Sequence, residues 1–356
     1  MSEIPEYSPD FLAPPKETPK APEVVSDGWM PDLNPTQLKI FNDTARFVLA
    51  SGPRASGKSI GCLHTVVRHC YDCDNALAVI AALTIRVADK GVLYELENFV
   101  LPIWRDGNRY PEFLDGQPHP QARELKDSGI GLQYLPARID PNTKDSLLWI
   151  VNRHGGWSCI MLISLPFPQV IAARLKGLSY SCFYMEEISE CSTDDYFRHP
   201  AAQLGRRRGM EGAPQQFFAS CNPKGPSHWL YKIFYQQAID EETGKRDPDF
   251  SVYHVPLTEN IGNIPPGYID QLKKAYRNPI EQRRKIDGEW VDVPDGTGIF
   301  SPFFSMELHV WGDALKGIGV MPSKGFPMIC SWDVGPVNLC VTFLQRIVTK
   351  TGSFWL

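Results

Sequence analysis

No apolar run in the 356 residues approaches the about 18 that a membrane-spanning helix needs, and no basic, apolar and small-residue succession opens the chain as a signal peptide would. Neither a membrane span nor secretion is therefore expected, and the cytoplasm is the expected compartment. An excess of positive charge is also lacking. The formal net charge is −5, so any contact with nucleic acid has to come from a local basic patch. Nine cysteines without a secretory signal read as reduced thiols. Cys70 and Cys73 have the spacing of half a zinc site, but no second pair follows at finger-like distance. Cys62, His64, His69, Cys70 and Cys73 accordingly read as helix-face and core residues rather than metal ligands. There is no internal repeat. What remains is ordinary for a globular chain of more than one domain: 43% hydrophobic and 22% charged residues.

One stretch departs from the ordinary. Gly52-Pro53-Arg54-Ala55-Ser56-Gly57-Lys58-Ser59 fits GxxxxGK[ST] at every fixed position. Two glycines let the backbone wrap until successive N–H groups point at phosphate oxygens. A helix opening from the loop adds partial positive charge, Lys58 adds a full charge for the β- and γ-phosphates, and the Ser59 hydroxyl is a Mg²⁺ ligand by type. A Gly/Ser-rich turn can match by chance, and context decides. Arg46–Ser51 reads as a buried strand running into the loop, and Ser59–Tyr71 places Ile60, Leu63, Val66 and Val67 at helical spacing. Strand, loop and helix together point to a nucleotide site for ATP with Mg²⁺.

The rest of the chain can be placed around that motif. Residues 1–30 are rich in Pro, Glu and Ser without periodicity and read as a disordered or loosely attached arm. Gln37 opens a short helical stretch ahead of the loop; its amide can read an adenine edge, or it is a solvated helix-start residue. Ala76–Ala81 reads as a buried strand, Asp89–Trp104 as an amphipathic helix, and Leu147–Val151 with Ser158–Leu165 as a hairpin about His154-Gly155-Gly156. Ser181–Met185 is a strand that delivers Glu186 and Glu187 to its C-terminal end, where open α/β sheets bind ligands. Paired with a P-loop, these carboxylates suit a metal-side role for Glu186 and a water-polarising role for Glu187. Gln215–Ser220 is a further strand, after which Asn222 can sense the γ-phosphate. Arg206-Arg207-Arg208 is a solvated run or part of a DNA-facing patch, and Lys273-Lys274 and Arg283-Arg284-Lys285 read as solvated helix faces. Residues 294–326 are rich in Gly and Pro and read as a linker. Pro327–Trp332 then resumes as a strand carrying Asp333, with Leu339–Gln345 as its antiparallel return.

Together these residues resemble the large terminase subunit of tailed bacteriophages. The likeness rests on the P-loop with its internal Arg54, the upstream Gln37, Lys176-Gly177 before the Glu186 strand, Ser220-Cys221-Asn222-Pro223 with His228-Trp229-Leu230-Tyr231, and Gly288-Glu289-Trp290. It implies an α/β ASCE-type P-loop ATPase over residues 31–293, with a mostly parallel sheet. From residue 327 to 356 it implies the first strands of an RNase H-like nuclease. Arg54 would then neutralise charge developing on the γ-phosphoryl group, Asn222 would couple phosphate state to movement, and Asp333 would be a nuclease metal ligand. Two departures stand out. Glu186 occupies a position that is usually aspartate in the family. No Asp or Glu lies between Gly335 and Leu356, whereas two-metal cleavage needs several carboxylates around ions about 3.5–4 Å apart, so nuclease activity is not expected.

The resemblance further implies a motor that translocates double-stranded DNA into a procapsid. Its partners would be the portal protein and the small terminase subunit, its assembly a homo-oligomeric ring on the portal, and its place the bacterial host cytoplasm. Two other functions fit the motifs: a helicase-like or other P-loop enzyme, and a nucleotide-binding assembly module that does not hydrolyse ATP.

Overall fold

The computed structural model describes residues 7, 11–16, 29–84, 87–107, 129–205, 214–240 and 242–292 with side chains (Asp89 excepted), and backbone alone at 113–114, 117–118, 328–334, 339–349 and 352–355. The expected linker and the Arg206-Arg207-Arg208 run lie outside the described residues.

Six strands of the first unit, Met1–Val293, are short and apolar on both faces. β1 (Phe47–Ser51), β2 (Leu77–Ala82), β6 (Ser146–Val151), β7 (Trp157–Ser164), β8 (Cys182–Met185) and β9 (Gln216–Cys221) bury nearly every residue. Such runs suit a sheet covered by helices on both sides. β3 (Phe113–Leu114) and β4 (Gln117–Pro118) form a separate two-stranded pair, while β5 (Arg138–Ile139) and β10 (Phe250–His254) are the edges of the main sheet. The order is β10-β1-β9-β8-β2-β7-β6-β5. β10 through β7 run parallel; β6 and β5 are antiparallel, β6 by the hairpin read from the sequence.

Because side chains alternate along a strand, two cores form. Val48, Ala50, Ala78, Ile80, Cys182, Tyr184 and Phe218 face one way and pack under the helix α2 (Lys58–Asp72), second after the short α1 (Pro35–Phe41), with its Cys62, Leu63, Val66 and Val67. Leu49, Val79, Ala81, Phe183, Met185, Phe217 and Ala219 face the other way, against Ile171, Leu175, Phe197 and Phe234. The helical run expected over Asp89–Trp104 is present, with π-type turns over Ala88–Leu93 and Leu96–Val100 before a regular turn at Leu101–Asp106. Part of the expected loose arm packs down: Phe11 is buried, and the Tyr7 hydroxyl donates to Asp145 at 2.9 Å.

The second unit, Pro294–Leu356, contains a three-stranded antiparallel sheet of β11 (Met328–Val334), β12 (Leu339–Thr349) and β13 (Gly352–Trp355). The first two strands match the expected pair, and β13 was not foreseen. Asp333 stands opposite Cys340 near the end of β11.

The Cys/His group of α2 has core partners. Cys62 and Cys70 are buried, His64 Nδ1 accepts from the Trp104 indole at 3.0 Å, and His69 Nε2 lies 2.5 Å from Ser181 Oγ. Among the described residues no group of three or more His, Cys, Asp or Glu can hold a metal ion.

Burial, and then the Arg68 charge, push His69 down to about 4. An unfolded histidine titrates near pH 6.5, so between about 6.5 and 4 the unfolded chain takes up a proton that the folded chain refuses. Stability then rises with pH in that window and is lost as pH falls through it, by about 2 kcal/mol between pH 7 and pH 5. Urea denaturation of wild type and His69→Gln at both pH values checks this. The pH-dependent loss should be smaller in the variant by about that amount; equal losses would show that His69 protonates within the fold.

Candidate functional site

The P-loop leaves β1 at Ser51, between the two parallel neighbours β9 and β10. Gly52 N–H donates to Cys221 O at 3.1 Å, which pins the loop to the end of β9. At its other end Gly57 has φ 83°, a left-handed conformation, and an added Cβ would come within 2.6 Å of Gln37 Nε2. Only glycine suits that position, and from it α2 begins with Lys58.

Lys58 is 6% exposed. Its Nζ donates to Pro53 O at 3.0 Å and Asn222 Oδ1 at 2.9 Å, which curls the loop around the ammonium group. Burial lowers its pKa, with the charge of Glu186 opposing. Beside it Ser59 Oγ donates to Glu186 Oε1 at 2.9 Å, and the Tyr184 hydroxyl donates to the other carboxylate oxygen. Burial raises the pKa of Glu186, while the hydrogen bond from Tyr184, the charge of Lys58 and the bond from Ser59 pull it back. A carboxylate held so deep stays anionic only with such partners. Ser59 and Glu186 are thus oxygen donors side by side, the donor chemistry that Mg²⁺ takes.

Glu187 follows in a strained setting. Its φ of 49° and ψ of 45° are left-handed, and its N–H donates to Ser220 Oγ at 3.2 Å. A non-glycine residue in that region costs about 1–3 kcal/mol and persists where neighbours over-determine it. The turn parts the two carboxylates: Glu186 goes to Ser59, and Glu187 Oε1 accepts from Asn222 Nδ2 at 3.3 Å. Asn222 is therefore the link, its oxygen on Lys58 and its nitrogen on Glu187.

The other residues singled out from the sequence fall as follows. Arg54 and Ala55 are exposed on the loop, Ala55 with φ 61°, and Ser56 is buried with no hydrogen-bond partner for its hydroxyl. Gln37 is not a solvated helix-start residue. Its Oε1 accepts from Asn34 N–H at 3.0 Å as half of a capping box, and its Nε2 donates to Gly57 O at 2.7 Å. That leaves one N–H and one lone pair of the amide, so the contact shown is one that positions the loop. Asp333 belongs to the second unit.

Three participants had no signal in the sequence. Asn260, from the turn Leu257–Asn263 after β10, donates to Ala55 O at 2.6 Å and grips the loop from outside. Tyr184 reads simply as strand core, yet it holds Glu186. Glu95, on the Ala88–Asp106 run, is raised to about 7 by burial first and by the charge of Glu186 second. Each depends on parallel strand pairing or helix docking that no local pattern encodes.

Comparison with known proteins adds the following. The family described as phage terminase large subunit matches residues 172–289, a segment that includes Glu186, Glu187 and Asn222. No curated protein matches. Among solved structures, the large terminase of a thermophilic bacteriophage in complex with ADP superposes with a TM-score of 0.52 at 18% identity, covering 91% of this chain and 68% of that one. The same protein in complex with ATP-gamma-S gives 0.51 at 17%, with the same coverage. At such identity the likeness speaks to the fold. In this chain β9, which leads to Asn222, lies between the P-loop strand and the Glu186 strand, the ASCE arrangement. In its sequence over residues 172–289, and in its fold, this chain resembles the phage terminase large subunits.

Proposed function

We propose that this chain hydrolyses MgATP at its P-loop and uses the cycle to move double-stranded DNA, as the ATPase part of a phage packaging motor. The observation that carries the proposal is the two sets of contacts Ser59–Glu186 and Lys58–Asn222–Glu187, gathered at the C-terminal ends of neighbouring parallel strands. Lys58 is a buried cation, and a phosphate arriving on it replaces the Pro53 and Asn222 oxygens as its partners. Ser59 and Glu186 would hold Mg²⁺, which when bound neutralises charge on the phosphates. Glu187, carried on its own turn away from Glu186, would orient a water and accept its proton. When Lys58 turns to phosphate, Asn222 is freed on one side while still touching Glu187, so the residue joins phosphate state to the position of the carboxylate. Arg54 would approach the terminal phosphate from the loop, and the remaining N–H and lone pair of Gln37 would meet adenine.

The structural neighbour forms complexes with ADP and with ATP-gamma-S, and the matching family is that of the phage terminase large subunits. By analogy with that family, the proposal extends to a homo-oligomeric ring on the portal protein, the small terminase subunit as partner, and the host cytoplasm as setting. No helix among the described residues is long and apolar enough to cross a membrane. On the second unit, Asp333 would offer one carboxylate to a nuclease metal site, which needs more than one.

Phosphate release from ATP, measured with and without duplex DNA, tests the proposal. Turnover that duplex DNA stimulates is the expected result, and absence of turnover in both conditions would favour the non-hydrolysing module. Glu187→Gln should bind ATP-gamma-S as wild type does but turn over about 10²-fold or more slowly. Lys58→Ala should lose tight binding, read by calorimetry. Wild-type turnover in the first variant, or wild-type affinity in the second, would remove the corresponding residue from its role.

Tyr184 gives a pH test. Its hydrogen bond holds the Glu186 pKa down, so Tyr184→Phe raises that pKa and protonated Glu186 persists to higher pH. The acidic limb of the kcat profile should move toward higher pH in the variant, with the plateau above it approached. An unmoved limb would mean that Glu186 ionisation does not govern the reaction.

A further inference from the structure

Four cations gather on one flank of the P-loop. Arg54 extends from the loop, Lys224 lies two residues past Asn222, and Arg284 and Lys285 end the helix Pro279–Lys285; all four line one small pocket with Asn222 and Glu190. Glu190 is the one carboxylate lining that pocket, and Lys224 Nζ holds it at 2.9 Å. The pocket thus keeps three positive charges in excess. Arg283, the neighbour in sequence, points elsewhere and pairs with Glu289 at 2.6 Å. Arg284 Nε is buried and has no hydrogen-bond partner among the described residues. Burial, followed by the charges of Arg284, Arg54 and Lys224, lowers the pKa of Lys285, with Glu190 opposing. Like charges crowd together at a cost that an anion offsets.

The crowding is built rather than incidental. Gly288, at φ 73°, sits so close to the loop that a Cβ would come within 2.6 Å of Pro53 Cδ. Trp290 Nε1 donates to Ser51 Oγ at 3.0 Å, which fastens the segment after the helix to the end of β1. At the other end Gln282 Nε2 donates to Tyr276 O at 2.7 Å, joining this helix to Tyr268–Ala275. The basic helix end is therefore held between the end of β1 and the neighbouring helix, with Gly288 against Pro53. Asn222 borders the pocket and bonds Lys58, so the pocket begins where the phosphate site of the loop ends.

We propose that Arg284 and Lys285 form a second phosphate subsite on the P-loop, one that takes the terminal phosphate of a nucleoside triphosphate and so distinguishes triphosphate from diphosphate. The assignment rests on the loop being the nucleotide site. Arg284 presents a planar donor fork suited to two phosphate oxygens, and Lys285 adds a point charge. A diphosphate held by Lys58 and the loop N–H groups stops short of these groups; a third phosphate reaches past Asn222 into them.

Calorimetric titration of ATP-gamma-S and ADP into wild type, Arg284→Ala, Arg284→Lys and Lys285→Gln tests this, with circular dichroism and thermal melts as the folding control. The expected result is a loss of about 10-fold in ATP-gamma-S affinity for Arg284→Ala, a smaller loss for Lys285→Gln, and ADP affinity within about 2-fold of wild type. Arg284→Lys should recover part of the loss. Equal losses for both nucleotides, or none, would overturn the subsite. If Arg284→Ala melts early, Lys285→Gln and Arg284→Lys decide by the same ratio. Fluorescence anisotropy with a duplex covers the competing ligand: weakened DNA binding with an unchanged nucleotide ratio would make the pocket a DNA-backbone site and overturn the proposal. A wild type that binds neither nucleotide would instead refute the P-loop assignment itself.

Discussion

The buried charge of Lys58 is the constraint on which the rest of this structure depends. An ammonium group 6% exposed has to be surrounded by oxygen, and the fold supplies it from three directions: Pro53 O from the loop, Asn222 Oδ1 from the end of β9, and the nearby Glu186 carboxylate from the end of β8. Those directions require β9 and β8 to lie successively beside β1, with all three strands pointing the same way. Parallel pairing puts their C-terminal ends at one edge, so the loop, Asn222 and the carboxylates meet there. The apolar strands with their two-sided burial serve this arrangement, since misplacing β9 would take Asn222 away from the lysine.

A second layer of contacts fixes the loop from outside. Gln37 holds Gly57 O, Asn260 holds Ala55 O, and Trp290 holds Ser51 at the base of the loop. These residues come from positions before β1 and after β10. The pairing of β10 with β1 is what returns the later part of the chain to the loop. The same return brings the basic end of Pro279–Lys285 beside Arg54, so the segment that secures the P-loop also alters its electrostatics. Glu187 adds the complementary feature: a strained turn, held by Ser220, that points two adjacent acids at different partners.

Much of this was legible in the chain itself, for identifiable reasons. The P-loop announces itself because its glycines, lysine and serine must sit at fixed spacing to wrap a phosphate. The strands announce themselves because two-sided burial demands runs such as Leu-Ala-Val-Ile-Ala-Ala and Cys-Phe-Tyr-Met. Glu186, Glu187 and Asn222 were found because each follows directly on such a run. Gln37 was found as well, but what it touches was not, since the amide can equally read a base, face solvent or hold a carbonyl. Tyr184, Asn260 and Glu95 were invisible: a tyrosine in a strand reads as core, an asparagine in a turn as a turn former, and a glutamate on an amphipathic helix as its wet face.

Sequence alone therefore determined the local chemistry of this protein: where the loop motif lies, which strand ends carry acid and amide, and which helices are amphipathic. Such properties belong to contiguous residues, with spacing set by backbone geometry. Tertiary structure decided which strand ends become neighbours, and so that Asn222 joins Lys58 to Glu187. It also decided that Arg284 and Lys285, written as an ordinary charged helix end, stand in a pocket with Arg54 and Lys224 rather than in solvent. Positions 54, 224 and 285 are brought together by strand order and by the close approach of Gly288 to Pro53, and electrostatic crowding arises only once the chain has folded back on itself.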